Sequence, residues 1–262
     1  MKRVLSTAAL VWAVLVAGAR PGNASNPNIL FYVDGDNGPT DEMSAALAAL
    51  SGSYNVTVAT SPTNFATLIS GGTYNLGIFS AQVAYDATYS AAFAALATFV
   101  QGGGKAIVAS WFTPLGADIA PFGADYTGKT NGPFMNLTGF NSGVTNPLVA
   151  LTNPSPPYST YSDGFTLDLA TGVSIAATFF DPGNASGTNG QGAIAIGDHG
   201  RSIVNGFMND TGGAAGKQIY ENEISGLLGA STPVPEPGTA VLFAMGGVGL
   251  IWLARRRQPV RS

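Results

Sequence analysis

The sequence predicts an α/β protein whose parallel, Rossmann- or flavodoxin-like sheet lies between two layers of helices. Two observations lead to this prediction. Between residues 28 and 111, short apolar runs alternate with helical patterns, which is the arrangement of crossover units that join parallel strands. The runs are apolar at successive positions, as strands that are covered on both faces require. We therefore expect a three-layer sandwich.

The elements of the first half follow in a regular order. Strands are predicted at residues 28–33, 54–58, 74–79 and 105–111, and helices at residues 41–50, 64–69 and 86–100. Thr40 can cap the first of these helices. The third helix carries a buried stripe, which consists of Tyr89, Phe93, Leu96 and Val100. The glycines at 102–104 then end it, because glycine enters a left-handed turn freely.

The pattern breaks from Phe112 to Gly164, where many prolines, glycines and asparagines exclude long elements. We predict a long excursion over the strand ends, a kind of loop that is often functional. A structural cover for the sheet edge is the alternative. Residues 165–180 then predict two short strands, residues 192–207 an added β-hairpin, and residues 214–228 a closing helix.

The chain starts with the parts of a secretory signal. Residues 1–24 start with two basic residues, Lys2 and Arg3, which are followed by an uncharged apolar stretch and a small-residue cleavage site near Ala19. We predict that a secretion translocase and a signal peptidase process this segment, and a retained N-terminal anchor is the alternative. The folded domain is predicted to span residues 25–230.

The C-terminal segment has three parts. A linker at residues 231–238 contains Pro235, Glu236 and Pro237. Residues 239–262 then form a predicted transmembrane helix, to Ala254, and a basic tail. This helix is about 24 Å long, short for a hydrocarbon core of about 30 Å but usable if the arginines snorkel. The tail begins with Arg255, Arg256 and Arg257, which the positive-inside rule keeps in the cytoplasm, so that the domain lies outside it.

This order of parts resembles the PEP-CTERM sorting signal of Gram-negative bacteria. The resemblance implies a protein that is held in the inner membrane until an exosortase cuts it near the Pro-Glu-Pro. The product is then released, or transferred to the cell surface or to an extracellular polysaccharide matrix. A plain C-terminal anchor is the alternative.

Composition narrows the function further. The chain has no cysteine, which excludes a disulfide framework and thiol chemistry. Residues 25–230 carry four basic and fourteen acidic side chains, a net charge of −10. This charge argues against nucleic acid and anionic lipid as partners of the domain, and it permits cation binding.

The order of elements from residue 28 to residue 228 resembles the class I glutamine amidotransferase-like superfamily, closest to its ThuA-like branch. The features that carry the resemblance are the helix that runs into Gly102-Gly103-Gly104, the segment Asn146-Pro147-Leu148 and the hairpin with Gly200-Arg201. The resemblance implies the fold without the chemistry of the family. The chain lacks the catalytic cysteine, and Ala109 and Ser110 stand where a histidine is expected.

An acidic loop follows the first predicted strand and contains Asp34 and Asp36, with Asp41 just behind it. In an open parallel sheet, ligands bind beyond the carboxyl ends of the strands. Several oxygen donors on a tight loop can hold Ca²⁺ or Mg²⁺, and these residues are the candidate metal ligands. Aspartate also suits turns and helix starts, so a solvated turn is the alternative.

A nucleophile and a base are the second candidate. Ser110 ends the fourth predicted strand, and its base would have to be His199, the only histidine. The neighbours of Ser110 are not the glycines of a nucleophile elbow, and an idle histidine in a hairpin turn is the alternative. A divergent hydrolase acting in a cleft under residues 112–164 is therefore the alternative function.

Aromatic residues crowd the irregular region. Rings beside amide side chains are a usual means of binding sugar, and core packing is the alternative. The residues are Trp111, Phe112, Phe134, Phe140, Tyr158 and Tyr161. The sequence thus favours an exported surface or matrix protein with a non-catalytic binding or structural domain, and exopolysaccharide is a candidate partner.

Overall fold

The computed structural model describes residues 26–34, 41–81, 88–110, 116–130, 133–151, 164–170, 172–183, 190–207 and 212–229. These residues lie in one compact unit, Asn26–Ala230. The predicted signal peptide, Pro-Glu-Pro linker and transmembrane segment lie outside the described residues. Among the helices that are described, none has both the length and the apolar character needed to cross a membrane.

The described part contains eleven strands and five α-helices. In chain order they are β1 (Asn28–Val33), α1 (Glu42–Ala49), β2 (Asn55–Val58), α2 (Pro62–Ser70), β3 (Leu76–Ala81), α3 (Tyr89–Gln101), β4 (Lys105–Ser110), α4 (Gly116–Ile119), β5 (Ala124–Thr130), β6 (Phe134–Leu137), β7 (Leu148–Ala150), β8 (Gly164–Leu169), β9 (Ser174–Phe180), β10 (Gly192–Gly197), β11 (Ser202–Asn205) and α5 (Gly213–Leu228). Short 3-10 turns occur at Ala120–Phe122 and Asp198–Gly200.

The strands form one mixed sheet, in which the spatial order is β2-β1-β3-β4-β11-β10-β9-β6-β7. The strands from β2 to β11 are parallel, and each pair from β11 to β7 is antiparallel. Strand β8 leaves this path and pairs with β10 and β5. The predicted parallel sheet is therefore confirmed for one half, and the other half is antiparallel.

Two apolar cores hold helices against the two faces of the parallel half. Because successive residues of a strand point to opposite faces, Ile29 and Phe31 pack with α1 and α5, whereas Leu30 and Tyr32 pack with α2 and α3. Burying one such large side chain contributes about 1.5–3 kcal/mol. Helices thus cover both faces of the parallel half, as the sequence predicts.

The predicted stripe of α3 is confirmed, since its four residues are all buried. The helix ends where Gly103 takes a φ of 100°, a left-handed conformation that favours glycine. The start of α1 differs from the prediction. Asp41 is its N-cap, because its side chain accepts a hydrogen bond of 2.8 Å from the N–H of Ser44. The cap therefore lies one residue beyond Thr40, which is outside the described residues.

The prediction for residues 112–164 is wrong in part, because this region contains α4, β5, β6 and β7. These strands find partners far away in the chain: β6 lies between β7 and β9, and β5 pairs with β8. The strands predicted within residues 165–180 are confirmed as β8 and β9, but they do not pair with each other. Local sequence patterns carry no information about pairing between strands that lie so far apart in the chain.

The predicted hairpin is confirmed as β10 and β11, with Gly197 opposite Ser202. It is not an addition to the sheet, because β11 also pairs in parallel with β4. The hairpin therefore joins the two halves. Strand β2 departs from the prediction that the strands are covered on both faces. All four of its residues are exposed, because it is the last strand at its end of the sheet.

Candidate functional site

The parallel strands bring four polar residues to one edge of the sheet, which we call the carboxyl edge. Asp34 follows β1, Ser80 lies near the end of β3, Ser110 ends β4 and Asn205 ends β11. The register aligns Ser80 and Asn205 with Ala109 on either side of β4. This edge is where open parallel sheets bind ligands.

Asp34 is tied to the start of α3. The hydroxyl of Tyr89 donates a hydrogen bond of 2.8 Å to Oδ2 of Asp34. Burial raises the pKa of the Tyr89 phenol, and the hydrogen bond to Asp34 and the negative charge of Asp34 raise it further. Tyr89 therefore stays protonated and remains a donor, so that this contact fixes the end of β1 against α3.

At the carboxyl edge, Asn205 forms a buried polar pair with Glu223. Nδ2 of Asn205 donates a hydrogen bond of 3.0 Å to Oε2 of Glu223, a residue of α5 with no exposed surface. Burial raises the pKa of Glu223 to about 8, although the hydrogen bond from Asn205 acts in the opposite direction. Within the described part of the chain, Oε1 of Glu223 and Oδ1 of Asn205 have no hydrogen-bond partner.

Sequence reasoning missed this pair, although α5 contains a signal that could have revealed it. Glu223 lies four residues after Ile219 and four residues before Leu227, and both are buried. Residues at this spacing share one face of a helix. A carboxyl group on the apolar face of a helix is therefore visible in the sequence. Its partner on β11 is visible only after folding.

The acidic loop has local roles at both of its described positions. Oδ1 of Asp41 caps α1, and Oδ2 accepts a hydrogen bond from the Ser44 hydroxyl. Asp34 bonds to Tyr89 as described above, and Asp36 lies outside the described residues. No group of three acidic, histidine or cysteine side chains that could hold a metal occurs among the residues that the structure places. Ca²⁺ or Mg²⁺ binding therefore stays a prediction.

The structure does not bring Ser110 and His199 together. Ala106 of β4 lies opposite Ser202, so β11 starts beside the start of β4. Ser110 is four residues beyond Ala106, about 13 Å along the strand at about 3.3 Å per residue. His199 precedes β11 in an exposed turn, with a φ of 56°. The two residues thus lie at opposite edges of the sheet, and the nucleophile–base pair that the alternative hydrolase requires is not formed.

The antiparallel half of the sheet presents a second candidate, which we call the aromatic face. Phe134 of β6 lies opposite Phe180 of β9, and Asn136 lies opposite Thr178. The residues between them point into the core, where Met135 and Phe179 are buried, so these four point to the other side. Phe180 is 36% exposed and Asn136 is also exposed. Two rings and two polar side chains are therefore neighbours on one strand surface.

The predicted aromatic candidates thus have different outcomes. Phe134 lies on the aromatic face, together with Phe180, which sequence reasoning missed. Phe140 packs against the core between the sheet and α5, and its carbonyl oxygen accepts a hydrogen bond of 2.7 Å from Asn222 Nδ2. The remaining four lie outside the described residues: Trp111, Phe112, Tyr158 and Tyr161.

Comparison with protein families identifies the C-terminal segment. The PEP-CTERM protein-sorting motif matches residues 233–258. The match includes the Pro-Glu-Pro at 235–237 and the arginines at 255–257, so the predicted sorting motif is confirmed. The motif indicates a protein that an exosortase sorts to the cell surface. It covers about a tenth of the chain and none of residues 26–229. Comparison with curated proteins gave no match to the chain.

The buried Glu223 predicts how stability depends on pH. Its pKa rises from 4.5 in the unfolded chain to about 8 in the folded one. Below the lower value both states are protonated. Between the two values only the unfolded state loses the proton, so stability falls as pH rises through this window, and it levels off above pH 8. Substitution of Glu223→Gln removes this contribution.

Melting temperatures measured by circular dichroism from pH 4 to pH 9 test this expectation. The fall in melting temperature with rising pH should be smaller in the Glu223→Gln variant. Glu221→Gln is the control, because Glu221 lies on the same helix but is partly exposed and forms an ion pair with Lys217. An unchanged pH dependence in Glu223→Gln would contradict the assignment of a neutral buried carboxyl group.

The cap of α1 predicts the effect of removing the Asp41 carboxylate. Asp41→Ala should lower the free energy of unfolding by about 1 kcal/mol, whereas Asp41→Asn, which keeps a capping oxygen, should change it little. Urea denaturation with and without Ca²⁺ measures both effects. If Asp41 acts as a cap alone, the loss is the same in both conditions. A loss that appears only with Ca²⁺ would show that Asp41 is a metal ligand.

Proposed function

We propose that residues 26–229 form a non-catalytic binding domain of an exosortase-sorted surface protein, and that the aromatic face binds strands of a neutral polysaccharide. The observation that carries the proposal is the placement of Phe134 and Phe180 as cross-strand neighbours, beside Asn136 and Thr178. Opposite residues of an antiparallel pair have Cβ atoms about 4.5–5.5 Å apart. Two rings at this separation offer an apolar surface on which sugar rings can stack.

Polar groups beside the rings support the same ligand class. Stacking alone does not fix the rotation of a sugar ring on an aromatic ring. Hydrogen bonds to the hydroxyl groups around the edge of the sugar fix this rotation. The amide of Asn136 can both donate and accept hydrogen bonds, and the hydroxyl of Thr178 can do the same. Binding sites commonly combine an apolar surface with a few polar groups that fix orientation. The aromatic face has both components on two adjacent strands.

Charge favours a neutral polymer over an anionic one. Strands β6, β7 and β9 contain no charged residue, while the domain as a whole carries a net charge of −10. A polyuronate would be repelled by this negative field. A neutral glucan or a similar exopolysaccharide experiences no such repulsion, and it meets a surface without charged groups to desolvate.

The proposal includes the route by which the domain reaches its ligand. A translocase exports the chain and a signal peptidase removes residues 1–24. The apolar segment up to Ala254 then holds it in the inner membrane, until an exosortase cuts near the Pro-Glu-Pro. The distribution of apolar and basic residues at both chain ends supports these steps. The proposed relation to the amidotransferase-like superfamily is supported by the strand order β2-β1-β3-β4 with helices on both faces.

Affinity electrophoresis of the full chain in a nonionic detergent tests the proposal. Hydroxyethyl cellulose, a soluble neutral glucan, should retard the protein, whereas alginate, a polyuronate, should not. Phe180→Ala removes one of the two rings and should weaken binding by about tenfold, on the order of 1.4 kcal/mol. Phe134→Ala should have a similar effect.

Ile175→Ala is the matched control, because Ile175 is an exposed apolar residue of the same strand, 37% exposed, without a ring. Its affinity should equal that of the unchanged protein. The proposal is contradicted if the neutral glucan causes no retardation, or if Ile175→Ala weakens binding as much as Phe180→Ala does.

A further inference from the structure

A cavity of about 580 Å³ lies at the edge of the sheet opposite the carboxyl edge. We call it the amino-edge cavity, because parallel strands begin beside it. Residues at the start of β4, just before β3, at the end of α2 and in the last turn of α3 line it, and they include Ser70, Tyr74, Asn75, Thr98, Phe99 and Lys105. Its volume falls within the range of about 300–1,000 Å³ that is usual for small-molecule sites.

Two partly buried aromatic rings give the cavity an apolar wall. Phe99 and Tyr74 both pack against the core that α2 and α3 share with the sheet. The ring of Phe99 lies directly against Gly104, since a Cβ atom at residue 104 would come within 2.3 Å of that ring. The glycine therefore allows the ring to pack on the backbone. The wall offers a surface on which a planar apolar group can pack.

Lys105 supplies the charge of the cavity. Its ammonium group donates a hydrogen bond to the carbonyl oxygen of Leu227, near the end of α5. An ammonium group has three N–H donors, so this bond leaves two of them for a ligand. Among the described residues that line the cavity, Lys105 alone is charged. A ligand therefore meets one positive group on this wall.

Asn75 adds a second donor. Oδ1 of Asn75 accepts a hydrogen bond of 2.8 Å from the N–H of Asn28, so the amide presents its NH₂ group as a donor. The hydroxyls of Ser70 and Thr98 instead donate to carbonyl groups of their own helices, at 2.8 Å and 2.9 Å. An ammonium group and an amide thus face a ligand that carries acceptors. A carboxylate fits best, because its hydrogen bonds to an ammonium group are charge-assisted.

Two sources of negative charge act against an anion here, and the structure limits both. The N–H groups of Gly102, Gly103 and Gly104 hydrogen-bond to the last carbonyl groups of α3, at 2.9–3.0 Å. Residues 43–85 and 87–104 supply most of the lining and contain no charged residue. More distant acidic side chains are largely screened beyond about 8 Å at physiological ionic strength. The wall can therefore hold a single carboxylate, although the domain repels an extended polyanion.

We propose that the amino-edge cavity binds a small aromatic carboxylate. The carboxylate accepts hydrogen bonds from Lys105 and Asn75, and the ring packs against Phe99 and Tyr74. This site is separate from the aromatic face, which lies on the antiparallel half of the sheet. The domain thus has a small-molecule site that does not depend on polysaccharide binding.

Saturation-transfer difference NMR of the full chain in a nonionic detergent tests this site, with benzoate as the probe and protein-free micelles as the blank. Benzoate should give a signal above the blank. Benzyl alcohol, a neutral analogue of similar size, should bind about tenfold more weakly, because it cannot form the charge-assisted hydrogen bonds. Lys105→Met should weaken benzoate binding by about the same factor, whereas Lys105→Arg, which keeps the charge, should weaken it much less.

A matched pair of variants locates the bound probe. Ala95 lines the cavity, and Ala94 is the exposed residue next to it on α3. Ala95→Phe should fill the cavity and remove the benzoate signal, whereas Ala94→Phe should leave it unchanged. Circular dichroism checks that each variant is folded. Because Lys105 also holds the end of α5, benzyl alcohol tests the charge without any substitution.

Three results would each overturn the inference. The first is a benzoate signal no larger than that of the micelle blank. The second is binding of benzyl alcohol as tight as that of benzoate. The third is a folded Ala95→Phe variant that keeps the signal of Ala94→Phe, which would place the probe outside the cavity.

Discussion

Strand β11 is the element on which the rest of the structure depends. It hydrogen-bonds in parallel with β4 on one side and in antiparallel fashion with β10 on the other. Its residues Ile203 and Val204 belong to the two opposite cores, so β11 contributes to the packing on both faces of the sheet. The hydroxyl of Ser202 also donates a hydrogen bond of 2.8 Å to the carbonyl of Phe122. Strand β11 is therefore the strand through which the parallel and antiparallel halves are hydrogen-bonded to each other. It also positions Asn205 to donate its hydrogen bond to Glu223.

The elements that the sequence predicts well are those whose signal is local. The stripe of α3 is readable because all of its apolar residues belong to one helix. The hairpin of β10 and β11 is readable because its glycines flank a short polar turn. Strands β5, β6 and β7 are not readable in the same way. Each is short, and its partner lies far along the chain, so only the folded sheet supplies the hydrogen bonds that define it.

The candidate sites show the same difference between what local sequence predicts and what only long-range pairing determines. Asp34 and Asp41 were predicted as metal ligands because aspartates cluster there, yet the structure gives both of them local hydrogen bonds. Ser110 and His199 could be separated only by the register of β4 and β11. Phe180 became a candidate only through its position opposite Phe134.

The central claim is that the acidic domain acts outside the cytoplasm because the PEP-CTERM motif directs it there. Mass spectrometry of the intact protein, recovered separately from the cytosol, the cell envelope and the medium, tests this claim most directly. The account predicts an envelope or medium form that lacks the leader and ends near the Pro-Glu-Pro, without the arginines at 255–257. Recovery of the uncut chain from the soluble cytosol, with its leader and its arginine tail intact, would contradict it.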